Sequence, residues 1–127
     1  MNWTYKNEEI EDISNFPKNT YGFIYKITHT PTNKIYIGRK VLYHNRKVKL
    51  TKKDLALYEG SNKPLLELLK SEPKENFTKD VLMFAPTKKL LTYYETQVLF
   101  VYRVLEEPEM YYNDNILGKF FRRDFDT

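Results

Sequence analysis

Residues 22–38 read GFIYKITHTPTNKIYIG and carry clear strand and turn signals. β-Branched and aromatic residues fill 22–28 and 35–38, while Pro31 and Asn33 in the connecting segment are typical of a turn. The stretch therefore predicts a β-hairpin.

Tyr25 and Tyr36 are predicted to face each other directly across this hairpin if its turn has two or four residues around Thr30-Pro31. A three-residue loop would break that pairing. Such a pair is ordinarily cross-strand packing, but Gly38 follows Tyr36 closely and is unusual inside a strand. It indicates that a ligand or another backbone approaches there.

The remaining segments predict an α/β (α+β) domain with a small three-stranded mixed or antiparallel sheet flanked by helices. A helix capped by Ser61 or Asn62 is expected to end before Pro73. Alternating residues predict a strand over 76–85, and helical spacing predicts a long helix over 87–106. Residues 1–20 are predicted to be an extension.

Composition limits the classes of function. A chain of 127 residues fits one domain, and it contains no cysteine, which excludes disulfides, thiolate zinc sites and cysteine nucleophiles. Met1 is followed by polar and acidic residues, and no run approaches the ~18 apolar residues of a membrane span. We therefore expect neither a signal peptide nor a membrane partner, and we expect the protein in the cytoplasm.

Residues 39–53 form a basic stretch, although the net charge is only +4. It could be a solvated loop. Apolar residues between the charges, such as Val41 and Leu42, instead favour a packed segment that fixes the cations, and a phosphate backbone would be their ligand. The stretch contains Arg39, Lys40, His44, Arg46, Lys47, Lys49, Lys52 and Lys53.

Glu95 lies on the predicted long helix, at the border of its apolar face with Leu99 and Tyr102. An unpaired charge there would be costly, so a cation meets it or it reaches solvent.

The order of these features, GFIY then YIG, resembles the signature of the GIY-YIG nuclease family. The stretches YEGSNK (58–63) and TYYETQ (92–97) are similar as well. The resemblance is strongest to small, free-standing phage-type members, among which homing-type enzymes occur, and the cytoplasm would then be that of the host cell. It covers residues 21–115, which leaves 1–20 as an extension and 116–127 as a basic tail.

The resemblance implies a set of catalytic residues. One of the paired tyrosines, Tyr25 or Tyr36, would activate water; Glu95 would bind one Mg²⁺ or Mn²⁺ ion. Arg46 matches the family's phosphate-stabilising cation by spacing, with Arg39 and Lys40 as competitors. Asn113 resembles the asparagine that closes the domain, and Asn115 is the fallback. Residues expected to contact DNA are Arg39, His44, Lys47, Lys49, Tyr58, Ser61 and Lys63.

The resulting hypothesis is a metal-dependent endonuclease that hydrolyses DNA with low to modest sequence specificity. It would act as a monomer or as a transient homodimer on DNA, and RNA remains an open substrate. The alternatives are a non-catalytic nucleic-acid-binding protein that keeps the nuclease fold, and a protein-interaction module whose tyrosines are only core. If Glu95→Ala left the biological effect intact, the non-catalytic binding protein would be favoured. The interaction module predicts no salt-dependent binding to DNA.

Overall fold

The computed structural model describes residues 2–44, 48–49 and 51–126. Its strands are β1 (Trp3–Tyr5), β2 (Glu8–Ile10), β3 (Gly22–His29), β4 (Lys34–Val41), β5 (Tyr43–His44), β6 (Val48–Lys49), β7 (Phe77–Ala85), β8 (Asn115–Ile116) and β9 (Phe120–Phe121). Its helices are α1 (Lys52–Leu57), α2 (Lys63–Ser71) and α3 (Lys88–Val101). No helix in these described ranges is both long enough and apolar enough to cross a membrane.

The predicted hairpin is β3 paired antiparallel with β4, but its turn lies one residue later than expected. His29 pairs with Lys34, so Tyr25 lies opposite Gly38 rather than opposite Tyr36. The prediction of direct pairing was therefore wrong. Because the register is shifted by two residues and side chains alternate with period two, both tyrosines still lie on the same face of the sheet.

The main sheet has five strands in the order β2-β1-β7-β3-β4, not three as predicted. The two additional strands come from the segment expected to be an extension. β1 runs parallel to β7 and antiparallel to β2, and the buried Trp3 donates its indole N–H to the Leu55 carbonyl at 2.8 Å. Three-residue strands are too short to show an alternating pattern, which explains why they were missed.

The helices follow local capping signals. Asn62 caps α2 as predicted, accepting a hydrogen bond from the Leu65 N–H at 3.1 Å. Helix α1, for which the sequence analysis gave no helix, begins after the Thr51 cap. Helix α3 ends at Val101, before the predicted 106, and Arg103 just beyond adopts a left-handed φ of 57°.

The sheet separates two apolar clusters. One packs β3 and β7 against α1 and α2, and it contains Trp3, Phe23, Tyr25, Ile27, Leu55, Leu65, Leu69 and Val81. The other packs the opposite face against α3, and it contains Ile24, Ile37, Ala85, Leu91, Leu99, Val104, Leu105 and Ile116. Strand β4 is an edge strand of the sheet and contributes to both apolar clusters. Side chains from the two faces of the sheet can therefore come together at its outer edge.

Candidate active site at the edge strand

A cleft of about 460 Å³ opens at the outer edge of β4. Side chains alternate between the two faces of β4, so Tyr36 points toward the face covered by α2 and Arg39 toward the face covered by α3, which carries Glu95. The cleft brings together several predicted site residues, which are Tyr36, Ser61, Lys63, Glu95 and Asn113. Residues that the sequence separates by up to 77 positions therefore share one cleft.

Tyr36 presents its phenol to this cleft. Burial raises the pKa of Tyr36, and the nearby Glu95 and Asp114 charges add to the rise, although interaction with the Ser61 side chain lowers it. The pKa of Tyr36 is thus above its ordinary value in the protein alone. Deprotonation at neutral pH requires added positive charge.

Tyr25 does not face the cleft, because its side chain is only 1% exposed. Its hydroxyl lies 3.0 Å from that of Tyr58, and burial raises the pKa of Tyr25 well above its ordinary value. A Cβ at Gly38 would come within 2.5 Å of the Tyr25 hydroxyl, and one at Gly60 within 3.2 Å. Gly38 therefore makes room for the Tyr25 side chain, which is the group that approaches it in the structure.

Tyr58 and Lys40 form the wall beside Tyr25. The Lys40 Nζ lies 4.5 Å from the centre of the Tyr58 ring, a cation–π distance. Burial raises the pKa of Tyr58, although its hydrogen bond with Tyr25 lowers it. Lys40 therefore contacts the tyrosine side of β4, whereas Arg39 contacts the side with Glu95.

Glu95 is a partly buried carboxylate of the cleft, with a side chain 19% exposed, and the exposed Asp114 lines the cleft as well. Burial raises its pKa, and Arg39 opposes that rise only in part, since the Arg39 Nε stays 3.9 Å from the carboxylate. The Arg39 Nη1 instead donates to the Thr92 hydroxyl at 2.5 Å. The Glu95 carboxylate therefore pairs with Arg39 only at the outer limit of an ion-pair distance.

No group of three or more His, Asp or Glu side chains that could hold a metal ion occurs in the ranges the structure describes. A partly buried carboxylate that lines a polar cleft fits an ion such as Mg²⁺, which keeps several waters and takes one or two protein carboxylates. Glu95 is the residue that would hold it.

Asn113 contributes through the backbone of β4. Its Nδ2 donates to the Ile37 carbonyl at 2.8 Å, and its Oδ1 accepts from the Ile37 N–H at 3.0 Å. Both ends of the buried amide are therefore used to hold the edge strand beside Tyr36. Asn115 lines the same cleft, and its side chain bonds Asp114 and Gly118 in the following turn.

Several predicted residues cannot be placed in the site. Arg46 and Lys47 lie outside the described residues, as do the side chains of His44 and Lys49. Within the same basic stretch Leu42 is buried, as expected for a partly packed segment.

Sequence reasoning missed Lys79, a lysine on β7 that is 1% exposed. Its Nζ donates to the carbonyls of Ala56 at 2.9 Å and Tyr58 at 3.0 Å, so it fixes the segment that carries Tyr58. Burial lowers the pKa of Lys79 to about 8. The signal was present, because Lys79 falls between Phe77 and Val81 on the inward face of the strand.

We expect the contribution of Lys79 to the free energy of unfolding to increase as the pH rises from about 8 toward 10.5, its ordinary pKa. In this window the unfolded chain holds a proton that the folded chain has lost. Urea unfolding at about pH 8 and about pH 9.5 should show the difference between wild type and Lys79→Met change by about 1–2 kcal/mol. The exposed Lys53→Met is the control, and a pH-independent difference for Lys79→Met would contradict the prediction.

Residues 3–116 match the family model described as "Putative endonuclease segE, GIY-YIG domain". No curated protein and no solved structure matches the chain. The matched span contains Tyr25, Tyr36, Glu95 and Asn113, and it ends before β9.

Proposed function

Because the chain belongs to the GIY-YIG endonuclease family, we propose that it hydrolyses DNA phosphodiester bonds with a divalent metal ion and a water activated by Tyr36. Membership itself implies nuclease activity on DNA. The observation that carries the finer proposal is the shared cleft of Tyr36 and Glu95 at the edge of β4.

Tyr36 is preferred over Tyr25 as the base because only Tyr36 lines the cleft. A general base must come within hydrogen-bonding reach of the water it deprotonates. Tyr25 is enclosed by Gly38, Gly60 and Tyr58, and its hydroxyl is engaged by Tyr58. We assign Tyr25 a packing role behind Tyr36. The centroids of the two rings lie 6.2 Å apart.

Glu95 is proposed to hold the metal ion, and GIY-YIG nucleases are typically dependent on divalent metals. When bound, Mg²⁺ or Mn²⁺ would offset the carboxylate charge and stabilise the leaving oxygen of the phosphodiester. The protein's own residues would bind and orient the substrate: Lys63, which lines the cleft, and Arg39, which pairs with Glu95, would supply positive charge for a phosphate. Arg46 and Lys40 remain candidates for the same role.

The partner proposed is DNA held mainly through its phosphates, and this predicts low to modest sequence specificity. Cations near the cleft, together with Ser61, would contact the backbone rather than base edges. One active site cuts one strand per engagement, so the protein either nicks as a monomer or cuts both strands as a transient homodimer.

The test is cleavage of supercoiled plasmid by the wild-type protein. We expect nicked or linear product with Mg²⁺ or Mn²⁺, none with a chelator, and recovery when the metal is restored. The order in which nicked and linear forms appear reports strand coupling. Cleavage that persists in chelator would refute the metal requirement. Salt-dependent binding without cleavage of DNA or RNA would favour the non-catalytic binding protein instead.

A further inference from the structure

Arg122 lies beyond the matched span of residues 3–116, on a short 3₁₀ turn after β9. The chain folds back there, so that Arg122 lies against the segment that precedes β8. Its Nη2 donates to the Tyr111 carbonyl at 2.6 Å and to the Asn113 carbonyl, and its backbone N–H donates to the Asp114 carbonyl at 3.1 Å. One half-buried guanidinium thus spans both sides of Tyr112.

Residues 110–113 run along the open edge of β4. The Ile35 N–H donates to the Met110 carbonyl at 2.9 Å, and the Tyr112 N–H donates to the Ile35 carbonyl at 2.8 Å. Because carbonyls alternate in direction along an extended chain, those of Tyr111 and Asn113 point away from β4. Arg122 supplies to these two carbonyls the hydrogen bonds that a further strand could otherwise donate.

This arrangement continues to the cleft. Arg122 holds the backbone of Asn113, the Asn113 amide holds both backbone groups of Ile37, and Ile37 directly follows Tyr36. Asn113 and Tyr36 also line the same cleft. A change at Arg122 therefore reaches Tyr36 through two residues, Asn113 and Ile37.

Stability alone is a poor reason to bury this side chain. The Arg122 Nε is buried, and none of the described residues accepts its hydrogen. A buried donor without an acceptor is costly, and this cost offsets part of the stabilisation from the two hydrogen bonds to the carbonyls.

We propose that Arg122 is a positioning residue of the nuclease site, which acts through Asn113 to hold the edge strand and Tyr36 in a reactive geometry. The inference rests on the proposed function. It makes the segment after the matched family domain a part of the active site.

The experiment measures kcat and KM for plasmid cleavage by wild type, Arg122→Met, Asn113→Ala and the double variant, at a temperature where circular dichroism shows each to be folded. We expect Arg122→Met to lower kcat about 10-fold to 100-fold, the size of effect produced by displacing reacting groups by about 1 Å. KM should change little. In the Asn113→Ala background, Arg122→Met should lower kcat no further, because both changes break the same connection. The matched control is Arg123→Met, which removes an exposed neighbour stacked on Phe121.

An unchanged kcat in folded Arg122→Met, with only a lower Tm, would overturn the inference and leave a structural role. Losses that multiply in the double variant, or a raised KM alone, would also overturn it and would indicate direct contact with DNA. If Arg122→Met does not fold, Arg122→Lys is judged by the same criteria. Inactivity of the wild type in the same assay would refute the proposed function itself, which keeps the two failures distinct.

Discussion

Glu95→Gln is expected to abolish metal-dependent cleavage while leaving the protein at least as stable as the wild type. A metal ion supplies several kcal/mol of charge stabilisation in the transition state, and each ~1.4 kcal/mol is tenfold in rate, so the loss should reach about 10³-fold or more. Glutamine keeps the shape of the side chain but removes its charge. Single-turnover cleavage with saturating Mg²⁺ is the measurement.

The stability half of this prediction follows from the raised pKa of Glu95. A carboxyl group whose pKa is raised on folding binds more protons in the folded state, so it lowers stability as the pH rises through its folded pKa. At neutral pH the metal-free protein therefore bears the cost of a buried charge, which glutamine removes. Urea unfolding in chelator should show an equal or higher free energy for Glu95→Gln.

The matched control is Glu8→Gln. Glu8 is an exposed carboxylate on β2, at the opposite edge of the five-stranded sheet from β4. Four strand spacings of ~4.8 Å separate the two edges. This control should cleave at the wild-type rate; if Glu8→Gln and Glu95→Gln lost activity equally, the assignment of the metal to Glu95 would be wrong.

The sequence predicted the elements that form the cleft because their signals are local. β-Branched and aromatic residues identified β3 and β4, alternation identified β7, and the cap at Ser61 or Asn62 located the start of α2. The register of the hairpin was wrong because distant residues fix the turn. The Thr30 N–H donates to the Asn76 carbonyl at 2.8 Å, and His29 bonds Glu72 at 2.8 Å. No local pattern of residues 28–34 contains those contacts.

The site shows the same division. Tyr36, Glu95 and Asn113 were predicted from the family resemblance, and the structure brings them to one cleft. Sequence order could not separate the two tyrosines, because both fall on the same face of the hairpin. Their difference comes from α1 and its following segment, which cover Tyr25 and leave Tyr36 open. The sequence indicated only that Arg122 belongs to a basic tail. Its contacts with the Tyr111 and Asn113 carbonyls form because the chain folds back after β9, which no local pattern shows.

The difference between the two tyrosines should appear in the pH dependence of cleavage. If the phenolate of Tyr36 accepts the proton of the attacking water, the rate follows the fraction of phenolate. The pKa of Tyr36 is raised by burial and by Glu95, so at neutral pH that fraction is small. Below this pKa, the rate should therefore rise about tenfold per pH unit.

Tyr36→Phe is expected to lower kcat by about 10²–10⁴-fold, the ordinary contribution of a general base, and to flatten this pH profile. Tyr25→Phe is the matched control, since it removes the same atom from the neighbouring ring. It should keep the slope of the profile and lower the free energy of unfolding by about 1 kcal/mol, because the Tyr58 hydroxyl loses its partner. The measurement is single-turnover cleavage across a pH series at saturating Mg²⁺. A flat profile in Tyr25→Phe together with a retained slope in Tyr36→Phe would transfer the role of base to the buried tyrosine, and the segment that covers it would then have to open during catalysis.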